Sequence, residues 1–197
     1  MSTSASTLSS AQRYGFELAR SPQEVQAYFD LRKAIFCGEQ QLFTDHDKDE
    51  VDDYAYPIIA IDRQRETSQQ DTSQQPDKVV GVVRIYETQP RHWYGGRLGV
   101  DVNYRRVGRI GKGLIYKAVT TANTWGCDRF LATVQLQNVR FFRRLHWESI
   151  DEIQVCDRPH HLMEADLNFY PPGNEIRPTV RSTEISLKHS PTLRRVG

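Results

Sequence analysis

Three glycines, Gly108, Gly111 and Gly113, sit in the run from Tyr104 to Ile115, directly between a short strand-like stretch and a helical stripe. The stretch is Arg97 to Val102, and the stripe runs through Ile110, Leu114, Ala118, Ala122 and Trp125. Strand, glycine turn and helix in that order predict an α/β or α+β domain built on a central sheet. Glycine lets backbone approach a ligand closely, and a helix N-terminus adds unpaired N–H groups and a partial positive charge. Arg105, Arg106, Arg109 and Lys112 strengthen that field. The segment Arg105, Arg106, Val107, Gly108, Arg109, Ile110, Gly111, Lys112, Gly113 is therefore a candidate pyrophosphate cradle. A second reading stays open, in which the glycines relieve helix-strand crowding and the cations only solvate the surface. Two familiar phosphate loops are excluded by spacing. A Walker A loop needs Ser or Thr after its Lys, where this chain has Gly113, and the GxGxxG pattern is absent.

The rest of the chain alternates between the two periods. Ser21-Pro22-Gln23-Glu24 supplies an N-cap, a proline at the first helical position and the Glu of a capping box. Val25, Tyr28, Phe29, Ile35 and Phe36 then carry a helix toward Cys37. Pro57 to Ile61 and Val79 to Tyr86 read as buried strands. Phe130 to Leu136 alternates as a strand, Asn138 is placed to cap a short helix through Leu145, and two final strands are expected at Trp147 to Val155 and Leu162 to Phe169. Trp93, Trp125 and Trp147 are expected to be anchors in the core or at turns. One domain over residues 14–170 is predicted, with a mobile N-terminus at 1–13, a Gln-rich surface loop at 63–78 and a basic tail at 171–197 that opens on Pro171-Pro172-Gly173.

Charge and composition narrow the function classes. The chain of 197 residues has a formal net charge of +1 and a mean hydropathy of −0.63. Residues 1–13 contribute +1 and residues 171–197 contribute +3, which leaves −3 for the expected domain. A nucleic-acid module leans the other way, so no nucleic-acid partner is expected. No apolar run approaches the roughly 20 residues of a membrane span, and the first ten residues lack the apolar segment of a secretory signal. Three scattered cysteines, Cys37, Cys127 and Cys156, have no metal or redox spacing, and a cytoplasmic setting is the expectation.

The glycine run resembles the pyrophosphate loop of the GNAT superfamily of acyl-CoA-dependent N-acyltransferases, whose pattern Q/R-x-x-G-x-G/A lies between the fourth strand and the next helix. Aligning Ile110-Gly111-Lys112-Gly113-Leu114-Ile115 places Arg106 at the Q/R position and Gly111 at the last. Arg109 occupies the first glycine position, with Gly108 just before it. The resemblance implies a single domain with a mixed, mainly antiparallel sheet flanked by helices, and acetyl-CoA or another acyl-CoA as cosubstrate without a metal. It implies that Leu98, Gly99 and Val100 pair with the cofactor arm, and that Asn138 bonds that arm with Arg143 nearby. Asn138 to Trp147 resembles the helix that often reads N…FYxxLGF, with Phe142 at the tyrosine that protonates the thiolate and His146 at the glycine. LRKAIFCGEQ (31–40), YPP (170–172) and HLMEADL (161–167) with the preceding His160 look like the GNAT-type proteins found beside bacterial nitrilases.

Transfer of an acyl group to an amine then needs a base and a polarised carbonyl, with strand N–H groups near Gly99 and Val100 to steady the oxyanion. Glu39 is the first candidate base, His160 or His161 a candidate proton shuttle, and Asp101 and Glu164 weaker carboxylates. The acidic run Asp45 to Asp53 imitates an EF-hand loop at first but has Glu50 and Tyr56 at the positions of the turn glycine and the bidentate Glu. It is expected to be an acidic surface loop, with attraction of a cationic amine as the functional alternative. Cys156 with His160 and His161 fits no strong zinc pattern. The expected partner is a small-molecule amine. A binding module without turnover is the alternative, as is a homodimer or a partner enzyme docked through the tail.

Overall fold

A computed structural model describes residues 13–63, 78–155 and 158–179. Most of the expected N-terminal segment, most of the 63–78 loop, Cys156 and the tail from residue 180 fall outside the described residues. Strand β1 (Tyr14–Leu18) is followed by helix α1 (Pro22–Lys33), β2 (Tyr56–Asp62), β3 (Lys78–Gln89) and β4 (His92–Val100). Then come α2 (Arg109–Thr124), β5 (Arg129–Gln135), a short α3 (Val139–Arg143), β6 (Trp147–Val155) and β7 (Arg158–Ala165). The seven strands form one sheet in the order β1-β2-β3-β4-β5-β7-β6, antiparallel except for the parallel pair β4 and β5.

Two buried clusters lie on opposite faces of that sheet. On one face Ile110, Leu114, Ala118 and Val119 of α2 pack with Ile58, Val80, Ile85, Trp93, Phe130 and Trp147. On the other, Tyr28 of α1 packs with Ile59, Ile61 and Val82. Consecutive β2 residues alternate between the clusters, which is why β2 reads as an unbroken apolar run. Helix α1 covers β2 and β3, so the β5, β7 and β6 part of its face keeps room for a ligand.

The Ser21 capping box forms as expected, with Ser21 accepting from Glu24 N–H and Glu24 accepting from Ser21 N–H. Four boundaries differ from the sequence reading. The helix toward Cys37 changes at Ala34 into a π-helical turn ending at Glu39. The strand expected at 97–102 starts at His92 and stops at Val100, because Asp101 caps a 3-10 turn over Val102–Val107. The last strand spans Arg158–Ala165, and Leu167–Phe169 forms a 3-10 turn capped by Asp166. Asn138 precedes α3 but makes no capping side-chain bond. Trp93 and Trp147 are buried, as expected.

Candidate active site

Strands β4 and β5 pair only from His92–Arg129 to Gly95–Ala132 and then part. The cause lies in β4. Its register against β3 slips between Val82 and Arg84, where Arg97 adopts φ +54°, a left-handed conformation uncommon for a side-chain-bearing residue. Arg97 is held there by bonds from its guanidinium to the Asp47 carbonyl at 3.0 Å and to Asp49 at 3.1 Å. The bulge turns the end of β4 away from β5 and opens a cleft of about 390 Å³. The cleft runs through the sheet. Ile115 and Val119 of α2 line one side, Leu98, Val134 and Asn138 the middle, and Phe43, Tyr86, Tyr94, Arg158 and His160 the other side.

Beside the free end of β4 lies the N-terminus of α2. Gly108 is its N-cap residue at φ +51°, and no side chain caps the helix, so its first N–H groups keep their capacity for an anion. The three glycines divide into different roles. Gly108 makes the turn with open space around it. Gly111 lies inside the helix with only Phe141 near, at 3.8 Å from where a Cβ would stand. Gly113 backs onto β1, where a Cβ would come within 2.2 Å of the Phe16 ring, so packing explains it. Arg105, Arg106, Arg109 and Lys112 are exposed around this turn, and Arg105 is bonded to the Val100 carbonyl at 2.9 Å and to Glu39. The residues present suit a pyrophosphate.

That tie bears on Glu39. It sits at the end of the π-helical turn, and the hydrogen bonds from Arg105 hold its carboxyl below the ordinary glutamate range, which makes it a weak proton acceptor. Asp101 is spent on Asn103 N–H and Lys78; burial opposes its charge, but those partners outweigh it and lower its pKa. Glu164 is paired with Arg129 at 2.9 Å. Arg143 is exposed on α3. Phe142 is buried edge-on to Trp147 at 5.1 Å and has no proton to give.

His160 lies in the cleft. Its Nδ1 is 2.9 Å from the Arg158 carbonyl, which can only accept, so Nδ1 carries the hydrogen and the neutral ring keeps its lone pair on Nε2. His161 points to the opposite face and bonds Ser149. Residues missed by sequence reasoning are Arg158, Tyr86 and Tyr94. The Tyr94 hydroxyl lies 3.2 Å from Thr133 Oγ1 at the point where the strands part, and burial raises its pKa.

The acidic run lies mostly at the surface, as expected, but part of it turns inward. Asp47 and Asp52 bind the fully buried Arg32, at 2.7 Å and through a fork to Nη1 and Nη2, while Asp49 and Asp52 bind Arg84. The carboxylates of Asp47, Asp49 and Asp52 neutralise Arg32, Arg84 and Arg97, so these three exert little pull on a cationic amine. Among the described residues, no group of three or more His, Cys, Asp or Glu side chains is placed to hold a metal, and no helix is long and apolar enough to cross a membrane.

A sheet parted between two parallel strands beside a helix N-terminus without a side-chain cap and ringed by cations defines the class of α/β fold, and solved structures share it. A candidate N-acetyltransferase of Lactobacillus plantarum superposes with a TM-score of 0.65 at 20% identity, over 78% of this chain and 97% of that one. Escherichia coli ElaA gives 0.62 at 20% over 78% and 99%. An acyl-CoA N-acyltransferase of Pseudomonas aeruginosa gives 0.57 at 16% over 78% and 98%. A search of curated proteins finds no sequence match. The family model of the GNAT acetyltransferases matches residues 28–147, more than half of the chain, and the chain belongs to that family. Its members use acyl-CoA as cosubstrate.

Proposed function

We propose that this protein transfers an acetyl or other short acyl group from acyl-CoA to the primary amine of a small molecule. The observation that carries this reading is the cleft itself, which joins the α2 face of the sheet to a pocket holding a histidine whose Nδ1 is bonded to a carbonyl, leaving the Nε2 lone pair for a proton. Exposed cations and the backbone N–H groups of the first turn of α2 hold the pyrophosphate. The arm of the acyl-CoA follows the β4 edge from Gly96 to Val100, past Asn138, where β5 has left its neighbour.

An ammonium cannot attack a thioester, so His160 Nε2 takes the proton from the incoming amine. Unpaired N–H groups on the β4 edge steady the oxygen as the tetrahedral centre forms. Tyr94 then supplies the proton for the departing thiolate, since Phe142 cannot. The rival reading is a module that binds acyl-CoA without turnover, favoured by Phe142 and by the engagement of Glu39 with Arg105.

Calorimetry of acetyl-CoA with wild type and Gly111→Trp tests the cosubstrate. Binding by wild type and its loss in the variant are expected; negligible heat with both would sink the proposal. Thiol release over a panel of amines tests the chemistry, with His160→Gln expected to lower kcat by about a hundredfold while acetyl-CoA still binds. Full turnover in that variant removes His160 as base. Binding with no turnover for any amine establishes the rival.

A further inference from the structure

We infer that the acceptor is an amino acid, an amine whose carboxylate is anchored by Arg158, with an apolar or aromatic side chain. This rests on the acyl-transfer reading above and names its second substrate.

The charged residues that line the cleft are Arg84, Arg97 and Arg158, together with His160, and no Asp or Glu lines it. Arg84 and Arg97 belong to the neutral cluster of three arginines and three aspartates, so they bring no net charge. Arg158 differs. It is exposed, faces the cleft and makes no ion pair among the described residues. Among the described residues, the cleft therefore presents one positive charge that no ion pair offsets. A diamine or polyamine would meet that charge with nothing to pair its second ammonium, whereas a carboxylate finds a guanidinium with free donors. On the same wall the buried Arg84 Nε–H has no acceptor, so the unmet hydrogen-bonding capacity there is again a donor.

Spacing sharpens the class. Arg158 and His160 are two apart on β7 and share a strand face, about 7 Å apart at the backbone. Side chains on one strand face can thus reach the two ends of one small molecule, the amine at Nε2 and the carboxylate at the guanidinium. On the same side Tyr86 and Tyr94 stack at 5.9 Å between ring centroids, and Phe43 also lines the cleft, so aromatic surface is at hand for the amino-acid side chain.

The test is acetyl transfer from acetyl-CoA to three probes, phenylalanine, phenylalaninamide and spermidine, by wild type, Arg158→Gln and Arg158→Lys. Phenylalanine is expected to exceed its amide in kcat/KM by about tenfold or more, mostly through KM, and spermidine to be the poorest. Arg158→Gln should bring the acid-to-amide ratio close to one with acetyl-CoA affinity retained, and Arg158→Lys should restore part of the ratio. A better rate with the amide or with spermidine overturns the inference, as does an acid preference that survives Arg158→Gln. If no probe is acetylated, equilibrium dialysis of labelled phenylalanine against the CoA-loaded protein decides. Retention lost in Arg158→Gln supports the assignment, and no retention overturns it. Wild type that fails to bind acetyl-CoA strikes the acyl-transfer reading instead, a result these measurements keep separate.

Discussion

Arg32 carries no exposed surface, and Asp47, Asp52 and the Tyr28 hydroxyl take its donors. Removing one member of such a set strands the others in the core, so Arg32→Met is expected to destabilise the fold by about 3–5 kcal/mol, read from denaturant midpoints. The same cluster sets an acid limit. Burial alone would raise the Asp49 and Asp52 pKa values, but hydrogen bonds from Arg84 to Asp49, and from Arg32 and Arg84 to Asp52, outweigh it and hold both below the ordinary aspartate value. A carboxylate with a lowered folded pKa stabilises fully above its unfolded value and loses that contribution as pH falls through the folded one. Stability should therefore hold above about pH 4 and drop below it, with a shallower drop in Asp52→Asn. Sequence reading misses this cluster because Asp49 and its partner Arg84 are 35 positions apart, and a dense acidic run looks solvated until three arginines arrive from α1, β3 and β4. His160 is legible as a candidate from its residue type alone, and the structure puts it in the cleft. Arg158 is not legible, since nothing local distinguishes it from any surface arginine.

At the level of elements, local chemistry made the most visible parts. The capping box announces α1, and β-branched runs announce β2 and β3, because each signal is complete within a few residues. The end of β7 is misjudged because Asp166 ends the strand by capping the turn after it, inside an otherwise apolar stretch. The glycine run locates the start of α2, yet the meaning of each glycine depends on a neighbour far along the chain. Gly113 faces Phe16 of β1 at a separation no side chain tolerates. Leucine favours helices more than glycine does, by somewhat under 1 kcal/mol, but overpacking costs about 1–3 kcal/mol and wins. Gly113→Leu should thus lose about 1–2 kcal/mol, and Phe16→Ala in the same chain should return part of it, a coupling that a double-mutant cycle measures.

Across the whole molecule, residues 171–179, part of the expected tail, run back over the domain. Glu175 reaches Arg20 before α1 and Lys117 of α2, and its carbonyl accepts from Trp125 Nε1 at 2.7 Å. The Arg177 guanidinium lies over Tyr56, Trp93 and Trp125, and bonds the Tyr56 hydroxyl and Glu87. Because that side chain is 41% exposed, Arg177→Ala is expected to cost only about 1–2 kcal/mol, seen as a lower thermal midpoint with acetyl-CoA affinity retained. Proline and glycine at 171–173 hide this docking from sequence, since they read as a stop and carry no hint of the tryptophan pair beyond. The bond from Arg177 to Tyr56 spans 121 positions. On a translating ribosome, strands β1 to β7 have left the exit tunnel before Arg177 does, so the whole sheet is free to assemble while the tryptophan edges still wait, wet, for the guanidinium that covers them.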